Sequence, residues 1–227
     1  MILQPIKQNW INQLTGPVRA EVLSRMNRRH YSAGELIYRA GEPGDELFLI
    51  ERGNVRIYTL TEGGKELLYD IFPPDTCFGD SSVVDGGPRP HMAQAVSELH
   101  LRVLSRTDFE ALWPRYPEVT LALARLQTLR ARRLYGIYEQ VSLSALSQRM
   151  ASRLYALVQT MGDERDDGGI HFDMRITQED IGSLVVGSRQ SVNKILKQWQ
   201  CSGVIELAYG SLVVRDLGIL KSLAEDA

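Results

Sequence analysis

The rhythm of apolar and polar positions changes along this chain, and each rhythm predicts a different structure. To about Arg29, the residues Trp10, Ile11, Leu14, Val18, Val22, Leu23 and Met26 recur at loose helical spacing. They predict one or two short helices, interrupted at Gly16-Pro17. From about His30 to Ser105 the period shortens. Apolar runs at Glu35–Tyr38, Leu47–Ile50, Val55–Leu60, Leu67–Phe72, Ala93–Val96 and Leu99–Leu104 alternate with turn-forming stretches. The clearest turns are Gly41-Glu42-Pro43-Gly44-Asp45, Arg52-Gly53-Asn54 and Glu62-Gly63-Gly64-Lys65. Strands punctuated about every 8–12 residues predict a sandwich or barrel, and about eight of them fit a double-sheet jelly roll.

The helical period then returns. Asp108–Trp113 reads as a short helix, and a long one follows from Glu118 to Gln140, with Pro117 at its start. Val119, Leu123, Leu126, Arg130, Leu134, Ile137 and Val141 mark one of its stripes. Leu121, Arg125, Thr128, Arg132, Tyr135 and Glu139 mark another. A helix apolar around much of its girth needs partners on more than one side, and a second copy of the same helix is one such partner. Ser142–Met161 is a further helix, with Ser142 or Ser144 as its N-cap. The acidic stretch Gly162–Gly169 reads as a solvated loop, without the ligand order of an EF-hand. Ile170, Phe172, Met174 and Ile176 then alternate as a strand.

Thr177–Trp199 reads as a short helix, a tight turn and a second helix, opened by Thr177 as N-cap with Asp180 three residues on. In the second helix, Val192, Ile195, Leu196 and Trp199 form a buried face. Arg189, Gln190, Asn193, Lys194 and Lys197 fall opposite. Amide and cationic side chains are the types that pair with base edges and phosphates in a DNA major groove. Gly203–Val214 reads as a hairpin around Tyr209-Gly210, and the last dozen residues as a terminal helix.

Composition narrows the functional classes. At 227 residues, 44% hydrophobic and 24% charged, the chain is that of a soluble globular protein. Its net charge of -2 means that any grip on nucleic acid comes from a local basic face. Cys77 and Cys201 are the only cysteines, too few for a disulfide framework, a zinc site or an iron–sulfur cluster. No apolar run spans a bilayer and no secretory signal opens the chain, so a cytoplasmic protein is expected. Nucleophile elbow, phosphate-binding P-loop and metal-ligand cluster are all missing from the sequence, which argues against an enzyme.

A β domain, a long helix and a winged helix-turn-helix, in that order, resemble the CRP/FNR family of bacterial transcription regulators. The most specific segment is ITQEDIGSLVVGSRQSVNKILKQWQCSGVI. Its Ile176, Thr177, Ile181, Gly182, Ser188, Arg189, Val192, Leu196, Gly203 and Ile205 match the family pattern without a gap. The family's turn glycine would fall at Val186, whereas this chain has glycine at Gly187. The resemblance implies an α+β protein: a helical lead-in and cyclic-nucleotide-binding-like jelly roll over 1–117, a dimerisation helix over 118–141, and a winged helix-turn-helix over 142–227.

It also implies a homodimer on a pseudo-palindromic double-stranded DNA site, with RNA polymerase as a further partner. Arg189 would read guanine. Gln190 would favour adenine where cyclic-AMP-dependent members have a glutamate, and Lys194 would replace their arginine. Asn193 and Gln178 join this face, with Thr177, Ser188 and Ser191 as phosphate contacts. For the effector, the resemblance points to Gly79, Asp80, Ser81, Ser82, Arg89, Pro90 and His91, and on the long helix to Leu134 and Tyr135.

This cassette departs from the family's. Asp80 is shorter than the expected glutamate, Arg89 fits only with one upstream deletion, and Pro90 replaces a hydroxyl and lacks an N–H. Leu134-Tyr135 stand where cyclic-AMP binders carry a Thr–Ser pair. Cyclic AMP is disfavoured. A cyclic dinucleotide, another effector, or constitutive binding without one all fit the residues. The FNR-type cysteine cluster is missing before Cys77, and Cys77 and His91 are lone candidates for haem. An interaction module whose helix-turn-helix contacts protein is the rival from another class, and the exposed Arg189 face speaks against it.

Overall fold

The computed structural model describes residues 8–64, 66–172, 176–208 and 211–225. Lys65, Met174 and the wing tip Tyr209-Gly210, all named above, lie outside them. The chain forms two compact units. Among the described residues, one gathers 8–61 together with 69–131; the other gathers 62–68 and 132–225.

The first unit begins with a 3-10 turn at Ile11–Gln13 and α1 (Gly16–Ser24). Pro17 lies in the first turn of α1, where its missing N–H costs nothing. Gly16-Pro17 thus starts this helix and does not interrupt one. The strands are β1 (Asn27–Tyr31), β2 (Leu36–Tyr38), β3 (Glu46–Arg52), β4 (Val55–Leu60), β5 (Glu66–Phe72, of which 69–72 belong to this unit) and β6 (Cys77–Phe78). After α2 (Asp80–Asp85) come β7 (Met92–Ala95), β8 (Leu99–Ser105) and α3 (Arg106–Leu112). They form two four-stranded sheets, ordered β1-β8-β3-β6 and β2-β7-β4-β5. This is the expected jelly roll.

The sequence pattern passed over β1, β6 and α2. Asn27–Tyr31 is almost wholly polar and exposed along its length, so no alternation marks it. Its hydrogen bonds to β8, from Asn27↔Val103 to Tyr31↔Leu99, make it a strand.

β3 explains why Leu47-Phe48-Leu49-Ile50 shows no alternation: both of its faces are buried. Phe48 and Ile50 join Ile57, Phe78, Leu101 and Val103 in one core. Leu47 and Leu49 join Trp10, Val22, Leu104, Phe109 and Leu112 in a second core, against the helices. The long helix α4 (Pro117–Leu143) begins in this unit. Val119, Ala122, Leu123 and Leu126 seal the second core at steps of three and four residues.

The second unit holds the rest of α4, then α5 (Leu146–Met161), β9 (Gly162–Glu164), β10 (Ile170–Phe172), α6 (Gln178–Leu184), α7 (Arg189–Cys201), β11 (Ile205–Ala208), β12 (Ser211–Val214) and α8 (Leu217–Glu225). Neither serine caps α5. Ser142 is inside α4, and the N-cap is Ala145, without a side-chain bond. The acidic stretch is partly ordered as the β9–β10 hairpin, in a sheet of order β11-β12-β10-β9. Met150, Leu154, Ile181, Val192, Leu196, Trp199, Val204 and Leu220 share one core beneath that sheet. α7 is therefore seated by its apolar face, and its opposite face is free.

Candidate DNA interface and effector cassette

The helix-turn-helix is built from its caps. Thr177 Oγ1 accepts from the Asp180 N–H at 3.0 Å, and Asp180 accepts in turn from the Thr177 N–H at 2.9 Å. This reciprocal box satisfies two of the orphan donors at the start of α6. Ser188 repeats the device on α7, accepting from the Ser191 N–H at 3.1 Å and donating to Ser191 Oγ at 2.9 Å. Both serines are exposed. Val192 and Leu196 are fully buried and Trp199 nearly so. Arg189, Gln190, Lys194 and Lys197 are exposed, and Asn193 is half-buried, within 3.4 Å of the Gln178 amide of α6. Arg189, Lys194 and Lys197 form no ion pair among the described residues. The structure thus brings the expected DNA-facing residues Thr177, Gln178, Ser188, Arg189, Gln190, Ser191, Asn193 and Lys194 together on α6 and α7. Their cations are uncommitted.

The cassette is arranged differently: its polar groups turn inward. Gly79 caps α2 at φ 77°, where a side chain would be strained, and a Cβ there would stand 2.9 Å from the Arg89 guanidinium. Asp80 is 0% exposed. It accepts from Arg130 Nη1 at 2.8 and 3.0 Å and from the Gln127 amide at 2.5 Å, both on α4. Arg130 also donates to the Cys77 carbonyl at 2.7 Å and to Gln8 at 3.0 Å. Asp80 is thereby committed to the protein. Ser82 is buried and donates to the Pro88 carbonyl at 3.2 Å, whereas Ser81 and Pro90 are exposed.

Arg89 is only 4% exposed. Its guanidinium lies 4.4 Å from the Tyr38 ring centroid and 5.5 Å from that of Phe48. It donates to the carbonyls of Gly79 at 2.8 Å and Glu46 at 2.6 Å. No carboxylate pairs with it among the described residues, and Nε has no partner. Burial lowers its pKa from the usual arginine value. Tyr38 Oη and His91 Nδ1 nearby are also buried without partners, with the two rings 5.9 Å apart. Burial brings His91 down to about 4. A buried cation ringed by unsatisfied polar atoms is the arrangement an anion would complete.

Of the remaining candidates, Cys77 borders this cluster and Leu134 and Tyr135 lie apart from it. Cys77 is buried with its thiol 3.3 Å from Asn9, and burial pushes that thiol up, out of the reactive range. Leu134 and Tyr135 fall in the second unit and are exposed. Arg130 and Gln127 were missed by the sequence reading. The available signal was Arg130 itself, a cation set in an otherwise apolar stripe.

Comparison with known proteins agrees with this architecture. Residues 28–116 match the model of the cyclic nucleotide-binding domain, and 148–223 that of the Crp-like helix-turn-helix domain. A CRP-like cAMP-activated global transcriptional regulator of Mycobacterium tuberculosis is 31% identical, over 82% of this chain and 83% of its own. The chain belongs to the CRP/FNR family. The cyclic AMP receptor protein of Thermus thermophilus is 32% identical over 89% of this chain and 90% of its own. The crystal structure of a CRP/FNR-family transcriptional regulator from the same organism superposes with a TM-score of 0.74 at 27% identity, covering 88% of this chain and 99% of that one. The protein is a DNA-binding transcription regulator of this family. Its relatives are regulators, and among the described residues no helix is long and apolar enough to cross a membrane.

Proposed function

We propose that the protein acts as a cytoplasmic homodimer that places two copies of α7 in successive major grooves of a pseudo-palindromic site. The exposed cationic face of α7, free of ion pairs among the described residues, is the observation that carries this reading. Arg189 reads guanine by a bidentate contact, Gln190 and Asn193 favour adenine edges, and Lys194 reaches an adjacent base or phosphate. Ser188, Ser191, Gln178 and the capped start of α6 at Thr177 set the register on the phosphates. The dimer seam is α4, on which Leu121, Leu129, Leu134, Tyr135, Tyr138 and Leu143 are exposed. Exposed apolar residues on both stripes of one helix support a subunit contact there. The functional segments are 1–117, 118–141 and 142–227, and RNA polymerase is the partner through which DNA binding reaches transcription.

The effector of this reading is a cyclic nucleotide or cyclic dinucleotide whose phosphate neutralises Arg89. Gly79, Ser81, Ser82, Pro90 and His91 border it, and Asp80 acts through Arg130. The match to a cyclic nucleotide-binding domain and the buried, carboxylate-free guanidinium support this. Leu134 and Tyr135 replace the hydroxyl pair of cyclic-AMP binders, so a ligand other than cyclic AMP is favoured. Native mass spectrometry of the purified protein reports dimer and retained ligand together. Operator affinity titrated with cyclic AMP, cyclic GMP and cyclic di-GMP then tests the effector, with Arg89→Gln as the variant that loses the response. The two carbonyls already bonded to Arg89 favour a second reading, a constitutive binder. Equal affinity with every nucleotide is its signature.

A further inference from the structure

The turn between α6 and α7 carries a backbone anomaly. Val186 has φ 53°, in the left-handed region where a β-branched residue is an outlier. The residue is 59% exposed, so burial does little to offset the strain. The glycines beside it serve close packing. A Cβ on Gly182 would stand 2.9 Å from the Gly187 carbonyl, and one on Gly187 would stand 2.7 Å from Leu146 Cδ1. The residue that faces the strained position is Arg149, on α5. Its Nε donates to the Val185 carbonyl at 3.0 Å, its Nη2 to the Val186 carbonyl at 3.4 Å, and its Nη1 to the Ser144 carbonyl at 2.7 Å. Ser144 is the first residue beyond α4, and its N–H still bonds the Gln140 carbonyl at 2.9 Å.

We propose that Arg149 is a positioning residue for the reading helix. One planar guanidinium ties the end of α4 to two carbonyls of the turn, holds Val186 in its left-handed conformation, and so sets the direction in which α7 leaves α6. Glycine at 186 would adopt this conformation unaided; valine needs the clamp. Movement at the end of α4 reaches the turn through the same side chain. A lysine cannot replace it, because a point ammonium does not span the three acceptors that a fork spans. The inference rests on α7 being the helix that reads DNA.

The test is a double-mutant cycle of Arg149→Ala and Val186→Gly, read as operator affinity across a salt series. Arg149→Ala is expected to weaken binding about tenfold through a misplaced helix, a coupling within the range for contacting residues. Val186→Gly should keep affinity and raise the thermal midpoint. The double variant should recover to within about twofold of the parent, because glycine removes the need for the clamp. The salt slope should stay the same in all four proteins. A slope reduced by about one in Arg149→Ala would mean a direct phosphate contact and overturn the proposal. Losses that simply add in the double variant would overturn it too. If Arg149→Ala does not fold, Arg149→Lys serves: weakened binding rescued by Val186→Gly is expected, and unchanged binding sinks the idea. Intact discrimination in Arg189→Ala would remove α7 as the reader, while urea unfolding of the same four proteins would still report whether Arg149 and Val186 are coupled.

Discussion

Helix α7 and the cassette around Arg89 treat their charges in opposite ways. On α7, Arg189, Lys194 and Lys197 stand in solvent without ion pairs among the described residues, on a helix whose other face is sunk in a core. In the cassette, Arg89 and Asp80 are buried, and each is met by groups from elsewhere in the fold: carbonyls of Gly79 and Glu46 for the one, Arg130 and Gln127 for the other. The first arrangement leaves donors ready for a partner that brings its own acceptors. The second arrangement has organised most of its polarity internally and left a small residue of unmet atoms on Arg89, Tyr38 and His91. A surface that reads a polymer must be open. A pocket that senses a small anion must be dry enough for one charge to matter.

The largest expected effect tests how committed Asp80 is. Asp80→Ala strips the half-buried Arg130 of its carboxylate and leaves it only the Cys77 carbonyl and Gln8, and removal of one partner from a buried pair costs about 3–5 kcal/mol. Urea denaturation of the first unit measures it, and a loss below about 1 kcal/mol would mean that Asp80 is in reserve for a ligand. Next comes acid. His91 is held neutral, with its pKa lowered by burial to about 4, below its unfolded value near 6.5. Between those values the unfolded chain binds the extra proton, so stability is full above about pH 6.5 and falls as the pH drops toward 4. The loss should be on the order of 2 kcal/mol, and His91→Phe should flatten that part of the pH–stability curve.

Smaller effects probe the open side of the comparison. Arg189→Ala should cost about 1–3 kcal/mol in discrimination at one base pair of each half-site, with stability unchanged, since its guanidinium has no hydrogen bond or ion pair among the described residues. Competition gel shifts with single-base operator variants measure this, and undiminished discrimination would show that the readout lies elsewhere. Thr177→Ala should be the mildest, about 1 kcal/mol of stability from the lost cap. Its thermal midpoint reports the change, and no shift would mean that the box with Asp180 is decorative.

The helix-turn-helix was legible because its signals are local. Thr177 and Asp180 close a box across three residues, and Val192, Leu196 and Trp199 recur at the helical period, so neighbours in sequence are neighbours in space. The position of the family's turn glycine was legible as well: Val186 holds the left-handed φ expected of that place. β1 was not legible, because Asn27–Tyr31 has no apolar alternation and owes its strand to β8, some seventy residues away. Nor were the partners of Asp80. Arg130 lies fifty residues beyond it, and no spacing rule joins a short helix of the sandwich to a turn of α4.

From the sequence alone come the order of the domains, the two faces of α7 and the family to which the chain belongs, since each depends on periodicity or on a contiguous motif. Tertiary structure decided the rest. It turned Asp80 toward Arg130, laid Arg89 under Tyr38 and against two carbonyls, left His91 and Tyr38 with unmet polar atoms, and set Arg149 against a turn that lacks its glycine. These are pairings between distant segments, and their energies depend on burial, which a residue acquires only once the chain around it has folded.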